Sequence, residues 1–147
     1  MKVEGSYEID ASVESVWDLL VDPGVLADLI PGAKSLEQVG ENSYRATMDV
    51  GVGPVTGSYE GTVELIDPVR PESYTLKISA KGPGAFVTGE SRFTLTALSD
   101  SKTRVDVEGE ASFGGVLARV GQRLAGSAAR SLMNQFFDNL KKRAAAG

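Results

Sequence analysis

Ser73-Tyr74-Thr75-Leu76-Lys77-Ile78-Ser79-Ala80-Lys81-Gly82-Pro83-Gly84-Ala85-Phe86-Val87-Thr88-Gly89-Glu90-Ser91-Arg92-Phe93-Thr94-Leu95 is two alternating runs joined by Gly-Pro-Gly. Tyr74, Leu76, Ile78 and Ala80 share one face of the first run, and Ala85, Val87, Gly89, Ser91, Phe93 and Leu95 share one face of the second. Lys77, Glu90 and Arg92 fall on the other side. Period-two alternation marks half-buried strands, and a short Gly/Pro link makes the pair an antiparallel hairpin. The pattern continues in both directions, with strands at about 33–40, 43–52, 54–67, 72–81, 85–98 and 102–113, all joined by short links. On the same apolar face lie Tyr44, Ala46, Met48 and Val50, then Val55, Gly57, Tyr59, Gly61, Val63 and Leu65, and finally Val105, Val107, Gly109, Ala111 and Phe113.

The ends complete the fold. Lys2 to Asp10 alternates, with Val3, Gly5, Tyr7 and Ile9 on one side. Ser12 is a good N-cap for a short helix carrying Val13, Val16, Trp17, Leu19 and Leu20. Asp22-Pro23 opens a second, with Val25, Leu26, Leu29 and Ile30, which Pro31-Gly32 stops. After Gly114-Gly115, Val116, Val120, Leu124, Ala128, Leu132, Phe136 and Leu140 recur every four residues, widened by Leu117, Gly121, Met133 and Phe137. That spacing predicts one helix to about Ala145, roughly 45 Å long. The order β-α-α-β6-α reads as a single α+β domain over residues 1–147, a curved seven-stranded antiparallel sheet around a long C-terminal helix.

Composition removes whole classes of function. The 147 residues suit one domain with a sizeable core. With no Cys there is no disulfide, thiol nucleophile or thiolate ligand, and with no His there is no Ser-His-Asp triad and no usual zinc or non-haem iron site. A net charge of −5 argues against nucleic acid as a partner. No apolar run reaches the roughly 20 residues of a membrane-spanning helix, and Met1 to Gly5 is no signal-peptide start. The expected location is the cytoplasm.

The two ends of the sheet differ. One set of connections is Pro31-Gly32, Gly51-Val52-Gly53-Pro54, Gly82-Pro83-Gly84 and Gly114-Gly115, all uncharged. The other set carries Glu41, Asp67, Arg70, Glu72, Asp100 and Lys102. An uncharged rim suits the mouth of an apolar site or a surface for a partner or membrane. The concave face also holds Gly57, Gly61, Gly89 and Gly109 with Ala46, Ala80, Ala85 and Ala111, and the long helix holds Gly121, Ala125, Gly126, Ala128 and Ala129. Two readings stay open: glycines that let the sheet coil, or volume left for a guest.

Asp22-Pro23, Leu29-Ile30-Pro31-Gly32, Gly51-Val52-Gly53-Pro54-Val55, Tyr59-Glu60-Gly61, Lys81-Gly82-Pro83-Gly84, Gln122-Arg123-Leu124-Ala125, Ala128-Ala129-Arg130 and Gln135-Phe136-Phe137, in this order, resemble the CoxG family of carbon monoxide dehydrogenase subunits, within the START-like, SRPBCC superfamily. The resemblance runs the full length. It implies a helix-grip fold of the START/Bet v 1 kind with a hydrophobic cavity. It also implies partnership with the molybdenum-containing carbon monoxide dehydrogenase or a related hydroxylase, at the inner face of the membrane where electrons enter the quinone pool. Many members carry a further C-terminal tail, whereas this sequence ends at Ala144-Ala145-Ala146-Gly147.

The expected function is a non-catalytic carrier of an isoprenoid quinone, menaquinone or ubiquinone, with no intrinsic cofactor and no metal. The expected ligand-binding residues are Leu26, Leu29, Ile30, Met48, Val50, Val55, Tyr59, Gly61, Leu76, Ile78, Phe86, Val87, Gly89, Phe93, Val107, Phe113, Val116, Leu117, Val120 and Leu124. Leu26, Leu29 and Ile30, with Val52, Phe86 and Val116, are the expected gate. Tyr59 is the expected donor to a quinone oxygen, against the plainer reading of a core tyrosine. Trp17 reads as core, Glu108 and Glu110 as a solvated ladder, and Lys141-Lys142-Arg143 as a complement to the helix dipole. The alternatives are a cyclase- or hydrolase-type enzyme, or a ligand-free adaptor for the dehydrogenase. The enzyme needs an acid/base pair aimed inward, and the concave strand faces carry no carboxylate or lysine.

Overall fold

The computed structural model describes residues 1–51, 56–119 and 121–146, residue 122 by its backbone alone. The elements are β1 (Lys2–Ile9), α1 (Val13–Val21), α2 (Pro23–Leu29), β2 (Ala33–Gly40), β3 (Ser43–Val50), β4 (Gly57–Val69), β5 (Ser73–Gly82), β6 (Ala85–Ser99), β7 (Lys102–Gly115), a 3-10 turn (Val116–Arg119) and α3 (Gln122–Ala146). The seven strands form one antiparallel sheet in the order β1-β7-β6-β5-β4-β3-β2. The helix pair carries the chain from one sheet edge to the other. Ser12 caps α1 by accepting from the Ser15 N–H at 3.2 Å, and Asp22 caps α2 by accepting from the Gly24 N–H at 2.8 Å, with Pro23 in the first turn. These side chains satisfy amides that the first helical turn leaves without partners.

Alternation dictates the two faces of the sheet. Lys77 stands between Glu64 and Glu90 on the outer face. The largest core cluster lies toward the charged end and is closed by the helices. Trp17 packs edge-on against Tyr74 with centroids 5.5 Å apart, Tyr74 stacks on Phe93 at 4.9 Å, and Tyr7 stacks on Phe137 at 4.0 Å. Trp17 is thus core, as its place on α1 implies. Three polar contacts hold α3 across this cluster: the Tyr7 hydroxyl donates to Asn134 Oδ1 at 2.7 Å, Asn139 Nδ2 donates to the Leu29 carbonyl at 3.1 Å, and Arg143 meets Asp28 at 3.4 Å. Burying one large apolar side chain here is worth about 1.5–3 kcal/mol. The cluster of sixteen buried residues therefore dominates the stability.

The C-terminal helix differs from expectation. β7 runs on to Gly115, the chain then makes one 3-10 turn, and α3 begins only at Gln122. Gly115 (φ +65°) and Gly121 (φ +93°) adopt left-handed backbone, which interrupts a right-handed helix. α3 has 25 residues, about 37 Å. Its buried stripe passes through Ala125, Ala128, Phe137 and Leu140, while Leu124 is 55% exposed. Stepping by four residues drifts about 40° per step around a helix of 3.6 residues per turn. The four-residue series therefore leaves the buried face.

Candidate functional site

The strand registers place the inward residues in rows. One row is Tyr44, Val63, Ile78, Gly89 and Ala111; the next toward the Gly/Pro end is Ala46, Gly61, Ala80, Val87 and Phe113; the next toward the charged end includes Leu65, Leu76, Ser91 and Gly109. Beyond them, at the Gly/Pro end, a smaller cluster gathers Val50, Tyr59, Ala85, Leu117 and Ala128, with Met48, Ala80, Val87, Phe113 and Leu132 packed against it. Ile78 belongs to neither cluster. It lies on the concave face of the central strand, directly across from Val63 and Gly89, yet 38% of its surface is exposed. An inward isoleucine at the middle of a seven-stranded sheet keeps that exposure only where nothing packs on it. The buried side chains of the first half of α3 are alanines, Ala125 and Ala128, and the helix's close backbone neighbours are mainly β1, α1 and α2. Ile78 thus marks a hollow in the packing between the two clusters.

The glycines around the hollow do two different jobs. A Cβ at Gly61 would overlap the Ser79 carbonyl oxygen and lie 2.8 Å from Ala80 Cα; one at Gly109 would overlap the Glu90 carbonyl and lie 2.6 Å from Ser91 Cα. Those obstacles are backbone, so these two glycines allow close approach of neighbouring strands. A Cβ at Gly89 meets the Glu110 carbonyl at 3.5 Å and Ala111 Cβ at 3.9 Å, ordinary contact. Gly89 leaves room. Close strand approach accounts for Gly61 and Gly109, whereas Gly89 has room for a side chain.

Polar groups reach this interior as tyrosines. Burial raises the hydroxyl pKa of Tyr59 above the usual phenol value and that of Tyr74 far above it. Tyr44 is raised first by burial and then by the Asp22 carboxylate, and Tyr7 by burial and then by Asp138. All four stay neutral donors at physiological pH. Tyr7 is committed to Asn134. Tyr44, Tyr59 and Tyr74 make no hydrogen bond among the described residues, and no fully enclosed side-chain polar atom lacks a partner. Tyr74 is fully buried between Trp17 and Phe93, so Tyr59, at the smaller cluster, is the better placed of the three to donate to a visitor.

The expected site residues divide into groups. Met48, Val50, Tyr59, Val87, Phe113 and Leu117 come together in the smaller cluster, with Ile78, Gly89 and Gly61 beside it. Leu76 borders the main cluster, to which Phe93 and Val107 belong. Leu26 and Leu29 are 4% and 0% exposed inside that main cluster, so they close the core and do not form a gate; Ile30 is half-buried at the end of α2. Phe86 also departs from the expected place. It pairs with Gly114 on the outer face, where its ring fills the space a Gly114 Cβ would need, and it is 50% exposed. An aromatic ring covering a cross-strand glycine protects the exposed backbone. Val116 and Leu124 are 51% and 55% exposed and face solvent. Val52, Val55 and Val120 lie outside the described residues. Ala125 and Ala128, buried on α3, and Leu132, packed against the smaller cluster, are absent from the expected set. A 3.6-residue phase counted from Gly121 picks out all three, whereas the four-residue count omits Ala125.

Two open clefts are bordered by described residues, three of them expected site residues. One covers Arg45, Glu60, Gly61, Thr62, Ser79 and Lys81, and the other reaches from Lys34 and Asp49 past Met48 and Tyr59 to Lys81 and Pro83. Both carry charged side chains in their lining. Among the described residues, no group of His, Cys, Asp or Glu could hold a metal ion, and no helix is long and apolar enough to cross a membrane.

The chain is similar to proteins of known structure over its whole length. A conserved protein from Geobacillus kaustophilus shares 36% identity and superimposes with a TM-score of 0.95, over 99% of this chain and 96% of that one. A START superfamily protein from Mycobacterium smegmatis shares 14% identity with a TM-score of 0.79, covering 99% and 97%. The Zhui aromatase/cyclase from Streptomyces sp. R1128 shares 15% with a TM-score of 0.73, covering 98% and 93%. At such identities the last two establish the fold, a START-like helix grip. No curated protein matches the chain. The family model for CoxG, a carbon monoxide dehydrogenase subunit, matches residues 5–145, nearly the entire chain. With the curved sheet, the three helices and the 36% identical homologue, that match settles kinship: the chain belongs to the CoxG family of carbon monoxide dehydrogenase subunits.

Proposed function

We propose that this chain is a non-catalytic carrier that holds an isoprenoid quinone, menaquinone or ubiquinone, and moves it between the membrane and a molybdenum-containing carbon monoxide dehydrogenase or related hydroxylase. The observation that carries the reading is the hollow at Ile78. Apolar surface exposed to the inside of the molecule, between two packed clusters, is what a guest with a hydrocarbon tail would cover. The unpaired hydroxyls of Tyr44 and Tyr59 supply the few donors a quinone's carbonyl oxygens need. Tyr59, inside the smaller cluster, is the first choice. A carrier must replace the bilayer contacts of such a tail, roughly 0.8 kcal/mol per CH₂, and so needs an apolar interior. The family name supports partnership with carbon monoxide dehydrogenase and an accessory role.

The concave strand positions carry no Asp, Glu, Lys or Arg, which favours a carrier over an enzyme that moves protons. The test is extraction of the purified protein followed by mass spectrometry, with titration of the stripped protein by a short-tailed menaquinone. A co-purifying quinone, or uptake at micromolar concentration with Ile78 becoming shielded, is the expected result. Solid packing around Ile78 with no uptake would refute the reading.

A further inference from the structure

We propose that the chain pairs with a second copy of itself through the free edge of β1, the two strands running antiparallel about a two-fold axis at Gly5 and joining two sheets into one.

The seven-stranded sheet has two edge strands, β1 and β2. An edge offers a row of unpaired backbone N–H and C=O groups, which proteins bend away, charge or cover unless it is used. β2 is broken up. Its register with β3 slips between Ala33 and Ser35 and again between Gln38 and Gly40, and the Gln38 side-chain amide donates to the Gly40 and Glu41 carbonyls at 3.0 and 3.2 Å. β1 has no such break. It pairs with β7 in one register from Lys2–Glu110 to Ile9–Thr103. Met1 and Ala111 exchange both backbone hydrogen bonds, at 2.9 and 2.8 Å. Alternation along an antiparallel ladder then commits Val3, Gly5, Tyr7 and Ile9 to β7 and turns the N–H and C=O groups of Lys2, Glu4, Ser6 and Glu8 outward. α3 meets β1 through its concave-side residues, with Phe137 stacked on Tyr7 and Met133 beside Gly5.

Charge selects both the occupant and the register. A strand added to this edge must set outward-turned residues against outward-turned residues, so few two-fold arrangements exist. With the axis at Glu4, that carboxylate faces its own copy. With the axis at Ser6, Glu4 faces Glu8 of the second copy, twice by symmetry. With the axis at Val3 or Tyr7, only a short overlap remains. With the axis at Gly5, all the outward-turned residues are paired: Lys2 lies opposite Glu8 of the second copy, and Glu4 opposite Ser6 of the second copy, each twice by symmetry. Opposite charges facing each other across an antiparallel pair attract, and like charges repel. The Lys2 and Glu8 side chains are each 61% exposed, and their neighbours in the chain are loose, Glu4 at 3.6 Å from Lys2 and Lys102 at 3.9 Å from Glu8. On the concave side Val3 falls opposite Tyr7 of the second copy, and Gly5 keeps side chains off the axis. A two-fold interface must be complementary to itself, and β1 is. That property favours a second copy over a strand from another protein.

The test is sedimentation equilibrium of the full chain over a range of concentrations, with a reversible dimer expected. Lys2→Glu and Glu8→Lys each put like charges opposite each other in their own homodimers, so each variant alone should associate about tenfold more weakly or worse. An equimolar mixture of the two variants restores every Lys–Glu pair and should dimerise within about threefold of the parent. Recovery on mixing cannot come from misfolded chains, and the reversals disturb only exposed ion pairs. Ser6→Pro removes an N–H that β7 does not use, so it should keep the fold and lose the dimer. Lys34→Gln on β2 should leave association unchanged. A parent chain that stays monomeric up to about 1 mM, including one whose β1 instead takes a strand of the dehydrogenase, would overturn the proposal. So would a mixture no tighter than its components, or a dimer that Lys34→Gln dissolves and Ser6→Pro does not.

Discussion

Replacing Gly89 with leucine distinguishes a hollow from a packed core. The new Cβ meets only the Glu110 carbonyl at 3.5 Å and Ala111 Cβ at 3.9 Å, so no backbone must move. The remaining three carbons extend beside Ile78, which is 38% exposed. Removing a strand glycine contributes about 0.5–1 kcal/mol, and covering apolar surface adds to that. The melting temperature should hold or rise by a few degrees, at about 2–4 °C per kcal/mol for a chain of this size. Ligand affinity should fall sharply. Four carbons displace about as many from the guest, at about 0.8 kcal/mol each, which is roughly 3 kcal/mol or a hundredfold. Gly61→Ala should behave in the opposite way. Its single methyl overlaps the Ser79 carbonyl and crowds Ala80 Cα, so β4 and β5 must shift, at a cost of about 1–3 kcal/mol. Folded Gly61→Ala protein should keep its affinity within about tenfold. Thermal melts beside quinone titrations read both quantities. Gly89→Leu protein that melts more than about 5 °C lower, or that binds as tightly as the parent, would refute the argument.

Tyr59→Phe should leave the melting temperature unchanged, because the hydroxyl has no partner among the described residues, and should weaken quinone binding about 3- to 10-fold; a drop in stability with unchanged binding would make the hydroxyl structural. Trp17→Ala should cost about 3–5 kcal/mol by opening a cavity against Tyr74, read by denaturant titration, and a loss under about 1 kcal/mol would contradict its place in the core. Asp49 is held below the ordinary carboxylate range by the Lys34 ammonium at 2.8 Å, then by the Ser58 hydroxyl at 2.7 Å. A lowered folded pKa means its stabilising effect is present above the unfolded value of about 4 and fades as pH falls through the lower one. Asp49→Asn should therefore lower the melting temperature slightly at neutral pH and leave it almost unchanged at strongly acid pH, flattening the profile between the two, and an effect confined to acid pH would reverse the assignment.

Much of the fold is legible because one face of nearly every element is buried. Alternation from Tyr44 to Phe113 fixes which residues point inward, and short Gly/Pro or charged links fix antiparallel order. The long helix is less legible. Gly121 sits in an apolar series and looks like part of a stripe, but its φ of +93° ends one segment before α3 begins. The site is legible only in part, for a related reason. Sequence spacing tells which face a residue takes, not whether anything stands opposite. Leu29 and Ile78 are both apolar and both inward, yet one is sealed and the other 38% exposed. Phe86 misleads because its alternation places it outward while its size suggests a pocket wall; the glycine it covers, Gly114, lies 28 residues away in sequence.

The split core also explains how a small domain can keep a hollow without forfeiting stability. The large cluster ties together α1, α2, the second half of α3 and the charged end of the sheet, and it contains the aromatic stacks. The first half of α3 contributes only small side chains, Ala125 and Ala128, to the interior. A buried alanine gains far less from burial than Phe137 or Leu140, since the gain scales with apolar area. Leaving space beside the alanines therefore gives up little that the fold depends on, and filling that space with larger residues would obstruct a guest more than it would support the sheet. Stability is concentrated in the second half of the helix, where Phe137 and Leu140 anchor it, while Ala125 and Ala128 bring little bulk to the first half.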